Sequence, residues 1–207
     1  MAMPFPLRCR CGKFQAEVMH PERGTRAVCY CKDCQAFAHF LGLPPGMLDA
    51  QGGTEIVAVQ PRNVRFVQGV EHLTCMSLTP RGTVRWFTSC CRTPIGNTPR
   101  DLGLSHVGLV HTALESAGTD LTRTFGPVRM RVNRQSAHGR PEGSPPLTFF
   151  AAIARYMATL AWSRVSGKYK ANPFFDPASG RPRVDPQVLS PEEHRTLKSA
   201  VSVAGPA

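Results

Sequence analysis

Cys29-Tyr30-Cys31-Lys32-Asp33-Cys34 sets three thiols within six residues. Thiolates two or three positions apart on a tight loop can converge on one ion, about 2.3 Å from each sulfur. Working outward, Cys9-Arg10-Cys11-Gly12 lies before this cluster and Cys90-Cys91 after it, while Cys75 stands alone inside an apolar run. Eight cysteines in a chain whose first residues do not read as an export signal point to metal rather than disulfides, because cytosolic thiols are kept reduced. Cys29, Cys31 and Cys34 supply three ligands and have no obvious fourth partner nearby. A structural site normally closes with four ligands, and a catalytic one leaves a position open. Cys9 and Cys11 supply two, and Cys90-Cys91 can provide the rest. Neighbours in an extended strand point to opposite faces, so Cys90 and Cys91 reach one ion together only if the backbone turns sharply between them. Cys75 reads as core. Zinc is the expected ion, although thiolates also take iron and copper(I).

Around the clusters, short β-branched or aromatic runs at residues 13–19, 54–59, 64–67, 73–78, 83–87 and 105–111 read as strands. Gly52-Gly53, Pro61, Gly69 and Pro80-Arg81-Gly82 punctuate them. A short helix is expected over 33–41. Residues 1–115 are thus expected to form a mainly β, zinc-bound antiparallel sheet domain, and residues 116–207 a C-terminal extension with a strand and two helices. In the extension a Gly/Thr-rich linker follows Leu114, a strand is expected over 128–132 and a Gly/Pro/Ser loop over 138–146. Apolar residues at Phe150, Ile153, Ala154, Met157, Leu160 and Ala161 give the spacing of an amphipathic helix over 147–165, packed on the sheet or serving a homodimer interface. Ser190-Pro191-Glu192-Glu193 carries the capping-box signature of a helix running to about Ala200. Residues 172–189, with four prolines, are expected to run extended along the surface or against the sheet.

The net charge of +11 is spread thinly, with Arg129, Arg131 and Arg134 as its densest patch. It admits an anionic partner, but scattered arginines without a basic block do not predict a nucleic-acid interface. The start MAMPFPL is too short and proline-broken for a signal peptide, and Leu147–Trp162 carries Arg155 and is too short to span a bilayer. A soluble, cytoplasmic protein without membrane contact is expected.

The cysteine motifs resemble those of the glutathione-dependent formaldehyde-activating enzyme (GFA) family, which includes centromere protein V. That family runs C-x-C-G, then C-x-C-x-x-C, then a strand ending in F-C-x-x-C-G-T. The chain is similar over residues 8–112, matching the opening at Cys9–Gly12, the middle at Cys29–Cys34 and, in part, the close at Phe87–Thr93. The resemblance implies a tent-like sheet with two zinc ions. Cys9, Cys11 and Cys91 would hold the structural ion, and Cys29, Cys31 and Cys34 the ion considered catalytic. Thr88 stands where the family has the first closing cysteine, Arg92 where it has glycine, and Gln35 where an arginine commonly follows the middle cluster. Cys90 can then either compensate for Thr88 from a shifted position or sit unligated.

The activity implied is that of a carbon–sulfur lyase on a glutathione or other thiol adduct, with Lys32 or Arg26 meeting substrate carboxylates. No general base stands out among His39, His72, His106 and His111. The alternative is a zinc-stabilised binding module without chemistry, which a fourth protein ligand at the middle cluster, such as Cys90, would favour.

Overall fold

The computed structural model describes residues 3–43, 46–115 and 120–203. Strands β1 (Phe5–Arg8) and β2 (Gln15–Val18) form an antiparallel hairpin whose turn carries the first cysteine pair. Strand β3 (Thr25–Cys29) leads through Tyr30-Cys31 into helix α1 (Lys32–Phe40). Six strands follow: β4 (Thr54–Val59), β5 (Val64–Gln68), β6 (Leu73–Ser77), β7 (Val84–Thr88), β8 (Pro94–Thr98) and β9 (Val107–Val110). The remainder holds α2 (His111–Glu115), α3 (Leu121–Phe125), β10 (Met130–Val132), α4 (Pro146–Val165), β11 (Gln187–Val188) and α5 (Pro191–Val203). The linker expected after Leu114 falls partly on residues 116–119, which lie outside the described residues.

Two open sheets result. The smaller has the order β1-β2-β5, the larger β10-β3-β4-β9-β8-β7-β6-β11. The larger is antiparallel in its interior, but each of its edges is a short parallel strand from the second half of the chain: β10 beside β3, and β11 beside β6. Within residues 1–115 every strand pairing is antiparallel, as expected there; β10 and β11 are parallel because long crossovers return them beside strands running the same way.

Side-chain alternation gives the large sheet two buried faces. On β7, Val84 and Trp86 join Phe5, Leu7, Phe14 and Val18 in a core between the two sheets. Phe87 faces the other way, joining Met76, Val110 and the α1 residues Phe37 and Leu41 in a second core completed by Leu189 and Val201 of the α5 region. The proline-rich segment packs on the sheet rather than running free: Phe174 is fully buried, 5.2 Å from the Trp86 ring and 5.1 Å from Phe66. Cys75 is buried core, as expected, its thiol donating to the Val184 carbonyl at 3.2 Å.

β1 escaped the sequence reading because Pro6 sits inside it. At the sheet's edge Pro6 points outward between buried Phe5 and Leu7, where its missing N–H costs no ladder bond. Gly69, φ +70°, meets a close approach: a Cβ there would stand 2.0 Å from the Lys13 carbonyl oxygen, where the chain passes the β2–β5 bulge.

Helix α4 forms as its periodicity predicts, yet its apolar stripe faces outward. Leu147 is 84% exposed, Phe150 66% and Met157 56%. The side turned to the protein carries Thr148, Ala152, Tyr156, Thr159 and Ser163, spaced four, four, three and four residues. This side faces Thr25 and Ala58, at the end of the β3–β4 pair, across open space. No helix among the described residues is long and apolar enough to cross a membrane.

The α5 capping box forms in both directions: Ser190 N–H donates to Glu193 Oε2 at 2.8 Å, and Glu193 N–H donates to Ser190 Oγ at 3.2 Å. Ser190→Ala should therefore cost about 1 kcal/mol, roughly 2–4 °C in a chain of this size. Ser190→Asp should keep most of it, as calorimetry of the two variants will read.

Candidate metal centres

The β1–β2 turn is built to gather sulfur. Gly12, φ +76°, closes a tight turn with its N–H on the Cys9 carbonyl at 2.9 Å, and Phe14 N–H points at Cys9 Sγ, 3.3 Å away. Opposite, the chain leaving β7 turns sharply through Ser89-Cys90-Cys91: Arg92 N–H returns to the Thr88 carbonyl at 2.8 Å, and Arg92 takes φ +53°. That left-handed conformation accounts for glycine at this position in the family the motif resembles. It also gives Cys90 and Cys91 the bend they need to face one point.

Cys90 Sγ lies 3.3 Å from Cys11 Sγ, 3.9 Å from Cys9 Sγ and 3.8 Å from Cys91 Sγ, and Cys9 lies 3.5 Å from Cys11. Four sulfurs tetrahedral at about 2.3 Å from zinc are about 3.8 Å apart. The group Cys9, Cys11, Cys90 and Cys91 therefore has the donor set and spacing of a closed tetrathiolate site. Thr88 Oγ1 stays outside the sulfur set, 3.4 Å from Cys91 Sγ, and Thr93 Oγ1 lies 3.1 Å away on the same sulfur. Burial raises the Cys91 thiol, but hydrogen bonds from Thr88, Thr93 and the Cys11 backbone outweigh it and bring it to about 5. Burial and the Cys11 thiol push Cys90 to about 12.

Cys29, Cys31 and Cys34 form the second group, their sulfurs all within 4.8 Å of one another. Cys29 ends β3. Cys31 is the N-cap of α1, its sulfur accepting Cys34 N–H at 3.4 Å, and Cys34 lies in the first turn. The free amides and positive end of the helix dipole favour thiolate there. Without a cation the crowded thiols resist ionisation: Cys29 is raised first by the Cys31 thiol and Cys34 first by the Cys29 thiol, with burial adding to both. Among the described residues no further Cys, His, Asp or Glu joins this group.

Its surroundings come from distant segments. Asn133, after β10, donates Nδ2–H to Cys29 Sγ at 3.4 Å. Gln35 is buried and braces the loop, donating to the Tyr30 carbonyl at 2.8 Å and the Ser136 carbonyl at 3.0 Å. Arg85, only 4% exposed, places Nη1 3.8 Å from Cys34 Sγ and 3.3 Å from Asn97 Oδ1, with its guanidinium 5.5 Å from the Phe37 ring centre. Among the described residues no carboxylate pairs with it. Strand register sets Thr54 directly opposite Cys29 on the same sheet face, and the buried Thr54 hydroxyl has no partner. The two groups are mechanically joined: Arg92 stacks on Phe40 and donates to the carbonyls of Phe40 and Leu41, so the loop of the first group docks on the end of the helix whose start carries the second.

Residues 1–185 match the family described as "Family of unknown function (DUF6151)". The chain belongs to DUF6151. No curated protein matches it. A crystal structure of a Rhodobacter sphaeroides protein is similar at 21% identity and a TM-score of 0.41, covering 62% of the DUF6151 chain and all of its own. The likeness to the GFA family rests on the cysteine motifs alone.

In this DUF6151 protein one of the two residues expected to meet substrate carboxylates, Arg26, is engaged elsewhere. Arg26 points to the opposite face of β3 from Cys29 and is taken up by Glu55 Oε1 at 2.6 Å, Thr122 Oγ1 at 2.9 Å and the Gly126 carbonyl at 2.8 Å. Lys32 is exposed at the start of α1. Among the described residues no histidine belongs to either sulfur group. His39 is near the far end of α1, His72 closes the turn before β6, and His111 spans the Glu55 and Gly46 carbonyls at 2.9 Å each. His106 is held at about 4 by burial, edge-on to Tyr156. Arg85, Asn133 and Thr54 were not anticipated. Arg85 left a legible trace, a cation inside a strand whose other residues are all apolar or hydroxyl-bearing. Asn133 and Thr54 left none, since only the register of β10, β3 and β4 brings them to Cys29.

Proposed function

We propose that the chain holds two zinc ions. The Cys9, Cys11, Cys90 and Cys91 group holds a structural one. Cys29, Cys31 and Cys34 would hold another with a free position for the sulfur of a small aldehyde–thiol adduct, whose carbon–sulfur bond would break as its hydroxyl proton is lost and C=O forms, releasing aldehyde and thiolate. The observation that carries this reading is the contrast between four sulfurs in one group and three in the other, Cys90 being spent on the first. An ion bound there supplies Lewis acidity and keeps an incoming thiol deprotonated. The protein's own residues shape the rest: Asn133 and the start of α1 hold two sulfurs in place, Arg85 offsets their negative charge, and Thr54 offers a hydroxyl beside Cys29 with hydrogen-bonding capacity to spare. Free thiols at all eight cysteines suit a reducing, cytoplasmic setting.

A non-catalytic zinc-stabilised module is the second reading, favoured because no histidine among the described residues belongs to the three-thiol group. Elemental analysis should find two zinc ions per chain and one in Cys29→Ser/Cys31→Ser, with the variant still folded. Turnover of at least one aldehyde–thiol adduct by wild type, lost in the variant, distinguishes the enzyme from the module. Zinc at one equivalent or less in folded wild type overturns the two-site reading.

A further inference from the structure

The large sheet carries a second built feature on the face that holds the three-thiol group, at the opposite end of the β3–β4 pair. Thr25 opens β3 and Cys29 ends it, four residues or about 13 Å away. Between Thr25, the Pro61–Asn63 turn and helix α4 lies a cavity of about 330 Å³. Arg23, Arg62 and Arg155 are among its lining residues, with Thr25, Thr159 and Tyr156. No aspartate or glutamate among the described residues lines it.

Among the described residues no carboxylate pairs with Arg62 or Arg155. Arg62 makes no hydrogen bond or ion pair among the described residues, and its Nε is buried without a partner. Arg155 reaches only the Arg23 carbonyl, at 3.3 Å, and Arg23 has a loose contact with Glu22 at 3.8 Å. Arginine stays charged, and like charges gathered around a partly enclosed space repel unless an anion joins them. Planar N–H forks suit a tetrahedral oxyanion, whose several oxygens accept paired bonds. The volume exceeds what a bare phosphate needs, and Ala58, Val59 and the Tyr156 ring offer apolar wall for an organic group. An anion here also accounts for the make-up of the inward side of α4, which presents hydroxyls where a purely structural helix would turn its apolar stripe.

We infer that this cavity is a binding site for a small phosphomonoester, its phosphate held by Arg23, Arg62 and Arg155 and its organic part against Tyr156. The site is independent of the zinc reading. Titration calorimetry on the full-length protein as purified, at constant ionic strength, tests it with phenyl phosphate, inorganic phosphate, citrate and chloride. Phenyl phosphate is expected to bind more tightly than inorganic phosphate, and both more tightly than citrate or chloride. Arg62→Gln should weaken phenyl phosphate by roughly 10–100-fold, the worth of a charged hydrogen-bonded contact, while Arg62→Lys loses less. Metal content should stay at the wild-type value, and the anion-free melting temperature should not fall, because Arg62 supports no other contact among the described residues. Phenyl phosphate binding no better than chloride, or equally well to Arg62→Gln and Arg155→Gln, overturns the site. Citrate binding as tightly as phenyl phosphate overturns its assignment to phosphate.

Discussion

Cys90→Ser is expected to lower the melting temperature of the metal-loaded protein by roughly 8–16 °C. The sulfur it removes lies within 3.3–3.9 Å of three others and belongs to a turn that joins β7 to the β1–β2 hairpin. Loss of a structural metal ligand belongs to the few single changes that cost about 4 kcal/mol or more, and in a chain of this size each kcal/mol moves the midpoint about 2–4 °C. A strong chelator should bring wild type down to at least the variant's midpoint. Thr88→Cys in the same variant should restore much of the loss, since position 88 already touches the Cys91 sulfur at 3.4 Å. Equal midpoints for wild type and Cys90→Ser, with equal metal content, would show that these thiols merely pack.

Arg85→Met is expected to push two quantities in opposite directions. A buried guanidinium without a carboxylate destabilises the metal-free fold, so an apolar side chain of similar length should raise the metal-free melting temperature. Three thiolates around a divalent ion leave one negative charge, which the guanidinium beside Cys34 offsets. Its loss should weaken metal binding at Cys29, Cys31 and Cys34 by about 10–100-fold, the usual cost of removing a group that supports a ligand. Competition against a chelating indicator reads that affinity, with the four-thiol group as an internal control. Arg85→Met that binds metal as wild type does would remove Arg85 from any role at the site.

How much of this was legible depended on range. Strands with alternating β-branched residues were readable to within a residue or two, Thr54–Val59 among them. β1 was hidden by Pro6, β3 by its brevity between Gly24 and the cysteines, and β8 by Pro94 and Gly96. The three local sulfurs of the middle group declare themselves within six residues. Membership of Cys90 in the other group depended on a left-handed Arg92, a backbone state no side-chain pattern announces. Periodicity located α4 correctly and misjudged its orientation. It measures where apolar residues recur around a helix, not whether the neighbouring surface is apolar or, as beside Thr25, lined with arginines.

The spacing of the two sulfur groups along the chain also sets an order during synthesis. Cys29, Cys31 and Cys34 leave the ribosome almost together and can capture an ion at once. Cys9 and Cys11 emerge earlier but stay two ligands short until Cys90, separated from Cys9 by 81 positions, has been made. At about 5–20 residues per second that interval is roughly 4–16 s. Throughout it, the nascent chain carries an unfinished pair of thiols able to trade ions or sulfur partners with other molecules. The closing turn at Cys90-Cys91 thus ends a period of chemical exposure as well as completing a sheet.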